Sequence, residues 1–136
     1  MIYVPCMYVN AEGEEPDVNY SVHGQNYGWQ EYVSDGDIAG TTGQSKRLES
    51  LIINLNNLGD KTGDITYRVH QQTYGWSDWV AGGQEAGVIG QSKRLEAVEF
   101  NLSGDIASYY DIYYCVHQQG YGWSGWVKNG GTAGVT

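Results

Sequence analysis

The sequence predicts an all-β domain with threefold pseudo-symmetry, and three observations carry that expectation. A unit of 47 residues is written almost three times along the chain. The composition favours turns and strands, with 20 Gly, 12 Tyr and 5 Trp against two Pro and one Phe. Apolar residues alternate with polar ones through the repeated segments, the period of a strand with one buried face. At 136 residues, one modest core and a single domain spanning 1–136 are expected.

The repeat is read directly. Tyr20-Ser-Val-His-Gly-Gln-Asn-Tyr-Gly-Trp-Gln-Glu-Tyr-Val33 recurs from Tyr67 to Val80 and again from Tyr114 to Val127, with a constant offset of 47 and no gap. A second block, Gly43-Gln-Ser-Lys-Arg-Leu-Glu49, recurs unchanged from Gly90 to Glu96. Units are therefore placed at about 20–66 and 67–113, with a third at 114–136 that lacks its second half.

Each unit reads as strand throughout. Tyr20 to Gln25 alternates, Asn26-Tyr27-Gly28 turns the chain tightly, and Trp29 to Val33 returns it. Ser34-Asp35-Gly36 turns again, Ile38 to Thr42 forms a short strand, and Lys46 to Leu55 forms the long one. A loop from Asn57 to Asp64 leads to the next copy, giving ten to twelve strands in all. Subtracting one period from Leu51, Ile53 and Leu55 gives Val4, Cys6 and Tyr8, which also alternate. Residues 1–10 are thus expected to complete the third unit and close the domain, removing exposed edges. The β-prism is favoured, with the β-trefoil as the alternative, because each unit reads as a compact antiparallel sheet.

The candidate functional residues recur with the unit. His23, His70 and His117 lie opposite a core-facing Val, which places them on three separate sheets and argues against a shared metal. Trp29, Trp76 and Trp123 read either as the core plug of each unit or as a stacking platform. Tyr27, Tyr74 and Tyr121, with Tyr32, Trp79 and Trp126, are expected to be more exposed than that Trp. Gln25, Gln72 and Gln119 would supply amides to a bound hydroxyl. Alternation puts Glu49 in phase with Arg47, Leu51 and Ile53, so a structural Arg–Glu pair is expected there and at Arg94–Glu96. Cys6 falls at a core-type position and Cys115 at a surface-type one, so they are read as two thiols facing opposite ways.

Several function classes are disfavoured. A net charge of −9 repels phosphate backbones and anionic membranes, so nucleic acid is a poor partner. No apolar run approaches the roughly 18 residues of a membrane span. There is no phosphate-binding Gly loop, no metal or cofactor motif, no Ser-His-Asp arrangement and no asymmetric carboxylate pair for glycoside hydrolysis. An enzyme is not expected.

The pattern Tyr-x-Val-His, Gly-Trp, Trp-Val, Ala-Gly and Gly-Gln-Ser-Lys-Arg-Leu-Glu, followed by an alternating apolar strand, resembles the clostridial hydrophobic repeat with conserved tryptophan, the ChW repeat. The resemblance covers 20–55 and 67–102 as full copies and 114–136 as a partial one. It implies a secreted or surface protein of a Gram-positive bacterium, its signal removed, that binds glycans or other surface partners. Two departures stand out: Tyr32 replaces the second Trp of the first unit, and the third unit lacks the Gly-Gln-Ser-Lys-Arg segment. The expected function is a non-catalytic, lectin-like carbohydrate-binding module with up to three shallow sites; the alternative is a protein-binding or cell-surface adhesion module. Oligomeric state is left open.

Overall fold

A computed structural model describes residues 3–10, 16–40 and 46–136, the first stretch by its backbone alone. The expected third strand of the first unit, Ile38 to Thr42, and the block beginning at Gly43 lie partly outside the described residues.

Fourteen strands and one 3-10 turn are found among the described residues. The first unit contributes β2 (Asp17–Gly24), β3 (Gly28–Trp29), β4 (Val33–Ser34) and β5 (Leu48–Asn56). The second contributes β6 (Asp64–Gln71), β7 (Gly75–Trp76), β8 (Val80–Ala81), β9 (Glu85–Gly87) and β10 (Leu95–Ser103). The third contributes β11 (Asp111–Gln118), β12 (Gly122–Trp123), β13 (Val127–Lys128) and β14 (Ala133–Gly134), while β1 (Tyr3–Asn10) precedes them all. The expected strand Trp29 to Val33 is in fact two, β3 and β4, both paired to β2. The chain reaches this hairpin through Gly28, Gly75 and Gly122, each at a φ between +71° and +76°, a conformation an L side chain rarely adopts.

The strands form three antiparallel sheets, none closed into a barrel. One holds β1, β11, β12 and β13; the second holds β14, β10, β6, β7 and β8; the third holds β3, β4, β2, β5 and β9. The sheets are not one per unit. β9 of the second unit pairs with β5 of the first, and β14 of the third pairs with β10 of the second. Each of these sheets is thus finished by the unit that follows it, a sharing that periodicity does not reveal. Gly87 lets β9 sit this close: a Cβ there would stand 2.5 Å from the Glu49 carbonyl.

β1 pairs with β11 along its full length. The phase differs from the expected one by a residue. Pro5, Met7 and Val9, not Val4, Cys6 and Tyr8, stand opposite the fully buried Val116, Tyr114 and Ile112. Tyr3 to Asn10 has apolar residues in both phases, so alternation alone cannot choose between them. In consequence the backbone of Cys6 stands directly opposite that of Cys115. Cys115, expected at a surface-type position, is buried, while the facing of the Cys6 side chain lies outside the described residues.

One core joins all three sheets. Val18, Tyr20, Val22, Leu51 and Ile53 meet Ile65, Tyr67, Val69 and Phe100, and Ile112, Tyr114 and Val116 complete the cluster. Tyr20, Tyr67 and Tyr114 are its largest side chains, fully enclosed. Each hydroxyl donates to a backbone carbonyl 17 residues on, at Asp37, Gln84 and Gly131 respectively. The Tyr67 hydroxyl also accepts from Ile53 N at 3.2 Å, tying the second unit to the first. Burial pushes the Tyr67 and Tyr114 phenols up to about 12. The core plug is therefore this tyrosine, not the tryptophan of the hairpin.

Candidate functional site

The first long strand of each unit presents its Val to the core and its His to the outer surface, and the short strand after the Tyr-Gly turn lays Trp beside that His. The register pairs His23 with Trp29, His70 with Trp76 and His117 with Trp123. The rings meet edge to face at 5.4, 5.3 and 5.2 Å between centroids. The three histidines lie in three different sheets, as their alternation predicts. Among the described residues no group of three His, Cys, Asp or Glu is close enough to hold a metal ion.

Behind the His the units diverge. Glu49 and Glu96 occupy β-bulges, where the pairing skips one residue between Leu48 and Ser50 and between Leu95 and Ala97. The extra residue resets the alternation, so Leu48 and Leu95 enter the core and the carboxylates turn to the histidines. This corrects the expected phase of Glu49 with Leu51 and Ile53, while the expected Arg–Glu pairs are present. Arg47 Nε lies 2.8 Å from Glu49 Oε2, and Arg94 Nη2 lies 3.0 Å from Glu96 Oε2. His70 Nδ1 is 3.0 Å from Glu96 Oε1. His23 Nδ1 is 3.3 Å from Glu49 Oε1, near it but out of hydrogen-bond alignment. In the third unit His117 Nδ1 is buried with no hydrogen-bond partner among the described residues.

On the outer side the aromatics form a shelf. Tyr27, Tyr74, Tyr32, Trp79 and Trp126 are exposed, and Tyr121 is the most open of the hairpin aromatics at 65%. Trp29 and Trp123 are exposed to 39% and 45%, and Trp76 is half-buried, so the outer rings are the more open ones as expected. Two equivalent grooves open along this shelf. The second unit's groove, about 230 Å³, runs from Tyr74, Trp76 and Asp78 to Glu85 and Val88. Its counterpart in the third unit, about 260 Å³, runs from Tyr121, Trp123 and Trp126 to Thr132 and Val135.

The amides lining these grooves are Gln71 and Gln118, one residue before the expected Gln72 and Gln119. Both are buried and already engaged: Gln71 exchanges hydrogen bonds with the Val88 backbone, and Gln118 does the same with Val135. They fasten the following short strand and shape the groove wall. Gln72 is half-buried and Gln119 exposed outside the grooves, whereas Gln25 Oε1 accepts from Arg47 N at 3.4 Å. Ser77 and Ser124, after the Trp, accept from Val69 N and Val116 N and so have a structural role.

Arg68 is a residue that motif reading passes over. It takes the outward position between Tyr67 and Val69, and its guanidinium lies 4.5 Å from the Trp76 ring and 4.9 Å from the Trp79 ring. Its Nε donates to Glu99 Oε1 at 2.8 Å, and Thr132 donates to the other oxygen of that carboxylate. The same position holds Ser21 in the first unit and Cys115 in the third.

No curated protein and no solved structure matches this chain. A family model described as Clostridial hydrophobic W matches residues 23–57 and 70–104, together just over half of the sequence. Both stretches begin at the His of the His–Trp pair and end just past the long strand, so they contain the hairpin shelf and the bulge carboxylate. The chain belongs to the Clostridial hydrophobic W (ChW) family.

Proposed function

We infer that this chain is a non-catalytic, lectin-like carbohydrate-binding module with one shallow aromatic site per unit, up to three in all. The observation that carries this reading is the exposed Tyr and Trp shelf, edged by His and opening onto equivalent grooves in the second and third units. An exposed indole or phenol offers a flat apolar face to the C–H face of a pyranose, and groove-side polar groups satisfy its hydroxyls. Asp78 and Glu85 serve that purpose in the second unit and Thr132 in the third. Shallow sites gain avidity from repetition on a polymeric ligand. A net charge of −9 suits a neutral sugar and disfavours nucleic acid. Among the described residues no helix is long and apolar enough to cross a membrane.

The same proposal places the protein outside the cell, secreted or on the surface of a Gram-positive bacterium, as its family resemblance implies. It also favours a β-prism arrangement over a β-trefoil. Three open sheets around one shared core support this, since a trefoil is built on a closed barrel.

A glycan array probed with the intact domain and with the triple variant Tyr27→Ala, Tyr74→Ala, Tyr121→Ala tests the reading. Binding to a neutral polysaccharide that the variant loses is the expected result. Capture of a protein ligand, with no glycan bound, would establish the alternative adhesion module; the Arg68 stack favours that second reading because it shows the aromatic faces accepting a protein side chain.

A further inference from the structure

We propose that the third unit carries a slot for an arginine side chain from a basic protein segment, held between Trp123 and Trp126. The second unit displays the occupied form of this slot. There Trp76 and Trp79 flank the Arg68 guanidinium at 4.5 and 4.9 Å, and Glu99 in the facing strand neutralises it. The third unit repeats the aromatic pair and replaces the arginine by Cys115. The result is an open cavity of about 360 Å³ lined by Cys115, Trp123, Ser124, Trp126, Gly36 and Ile38.

The chemistry of the occupant follows from the internal comparison. Two indole faces carry negative quadrupole potential and bind a planar, weakly hydrated cation better than a compact ammonium. The far wall comes from Gly36 and Ile38 of the first unit. A chain of net charge −9 attracts basic partners. The first unit lacks the second indole, since Tyr32 replaces the outer Trp. The slot opens on the Cys115 side of the Trp pair, whereas the groove proposed for sugar runs past Tyr121 to Val135. Trp123, Ser124 and Trp126 line both, so the two readings are told apart by their probes, a glycan for the groove and an arginine peptide for the slot.

The test is a titration of ¹⁵N-labelled protein, followed through its five indole N–H signals. The probes are acetyl-Gly-Arg-Gly-amide and the same peptide with lysine or with citrulline, the neutral isostere. Saturable shifts of Trp123 and Trp126 with the arginine peptide are expected, at least about fivefold weaker with lysine and absent with citrulline. Cys115→Arg, which copies the second unit, should suppress them, and Arg68→Ser should make Trp76 and Trp79 respond as well. Should Cys115→Arg fail to fold, Trp126→Ala takes its place and should abolish the Trp123 shift. Unmoved Trp123 and Trp126 signals, an equal response to citrulline, or undiminished binding in the blocked variant would overturn the proposal.

Discussion

Tyr20, Tyr67 and Tyr114 hold the centre of this molecule by combining a large apolar ring with one hydroxyl that always finds a backbone carbonyl. The Tyr67 oxygen both donates to Gln84 and accepts from Ile53 of the neighbouring unit. Tyr67→Phe leaves two buried backbone groups without that partner and should cost about 1–3 kcal/mol in denaturant unfolding. Tyr67 and Tyr114 also set an alkaline limit. Their phenols ionise near 12 in the folded state against 10 when unfolded, so the stability they contribute is intact below pH 10 and falls as pH rises towards 12. A spectrophotometric titration should show a phenol step near pH 12 that coincides with loss of folded circular dichroism.

At the scale of the element, the turn after β4 and the crossing of β9 are the informative places. Asp35 caps Val18 N at 2.9 Å, and partial desolvation at this turn raises its carboxyl from the ordinary value, with Asp17 and Asp37 adding to the effect. The third unit solves the same turn with Asn129, which caps Ile112 N and donates to Asp111. Asp35→Asn should therefore stabilise the protein at pH 7. A raised carboxyl costs stability as pH climbs through its folded pKa, so the gain in melting temperature should shrink as pH falls towards 3. Gly87→Ala should act in the opposite direction. Its φ of +104° and a Cβ 2.5 Å from the Glu49 carbonyl force β9 away from β5, at about 2–4 kcal/mol by chemical denaturation.

For the whole molecule, the shared strands mean that no unit owns a complete sheet. β9 and β14 each finish the sheet of the preceding unit, and one core runs through all three sheets. Unfolding should follow a single transition, in which tryptophan fluorescence and far-ultraviolet circular dichroism give the same midpoint. Gly87→Ala should lower that midpoint for signals from both the first and second units. Distinct transitions for the units would mean that the strand exchange contributes little to cooperativity.

The sequence by itself determined the repeat, the all-β class, the exposure of the outer aromatics and the pairing of Arg with Glu, because each rests on a period or a contact near in the chain. It also placed the N-terminal strand beside the third unit, though one residue out of phase, since Tyr3 to Asn10 is apolar in both phases. Tertiary structure alone decided the rest. The bulges at Glu49 and Glu96 turned carboxylates from the core face to the histidines, and the groove amides proved to be Gln71 and Gln118. The exchange of short strands between units stayed hidden for the same physical reason: a repeat fixes which residues are equivalent, while the partner each one meets is set by packing between units distant in sequence.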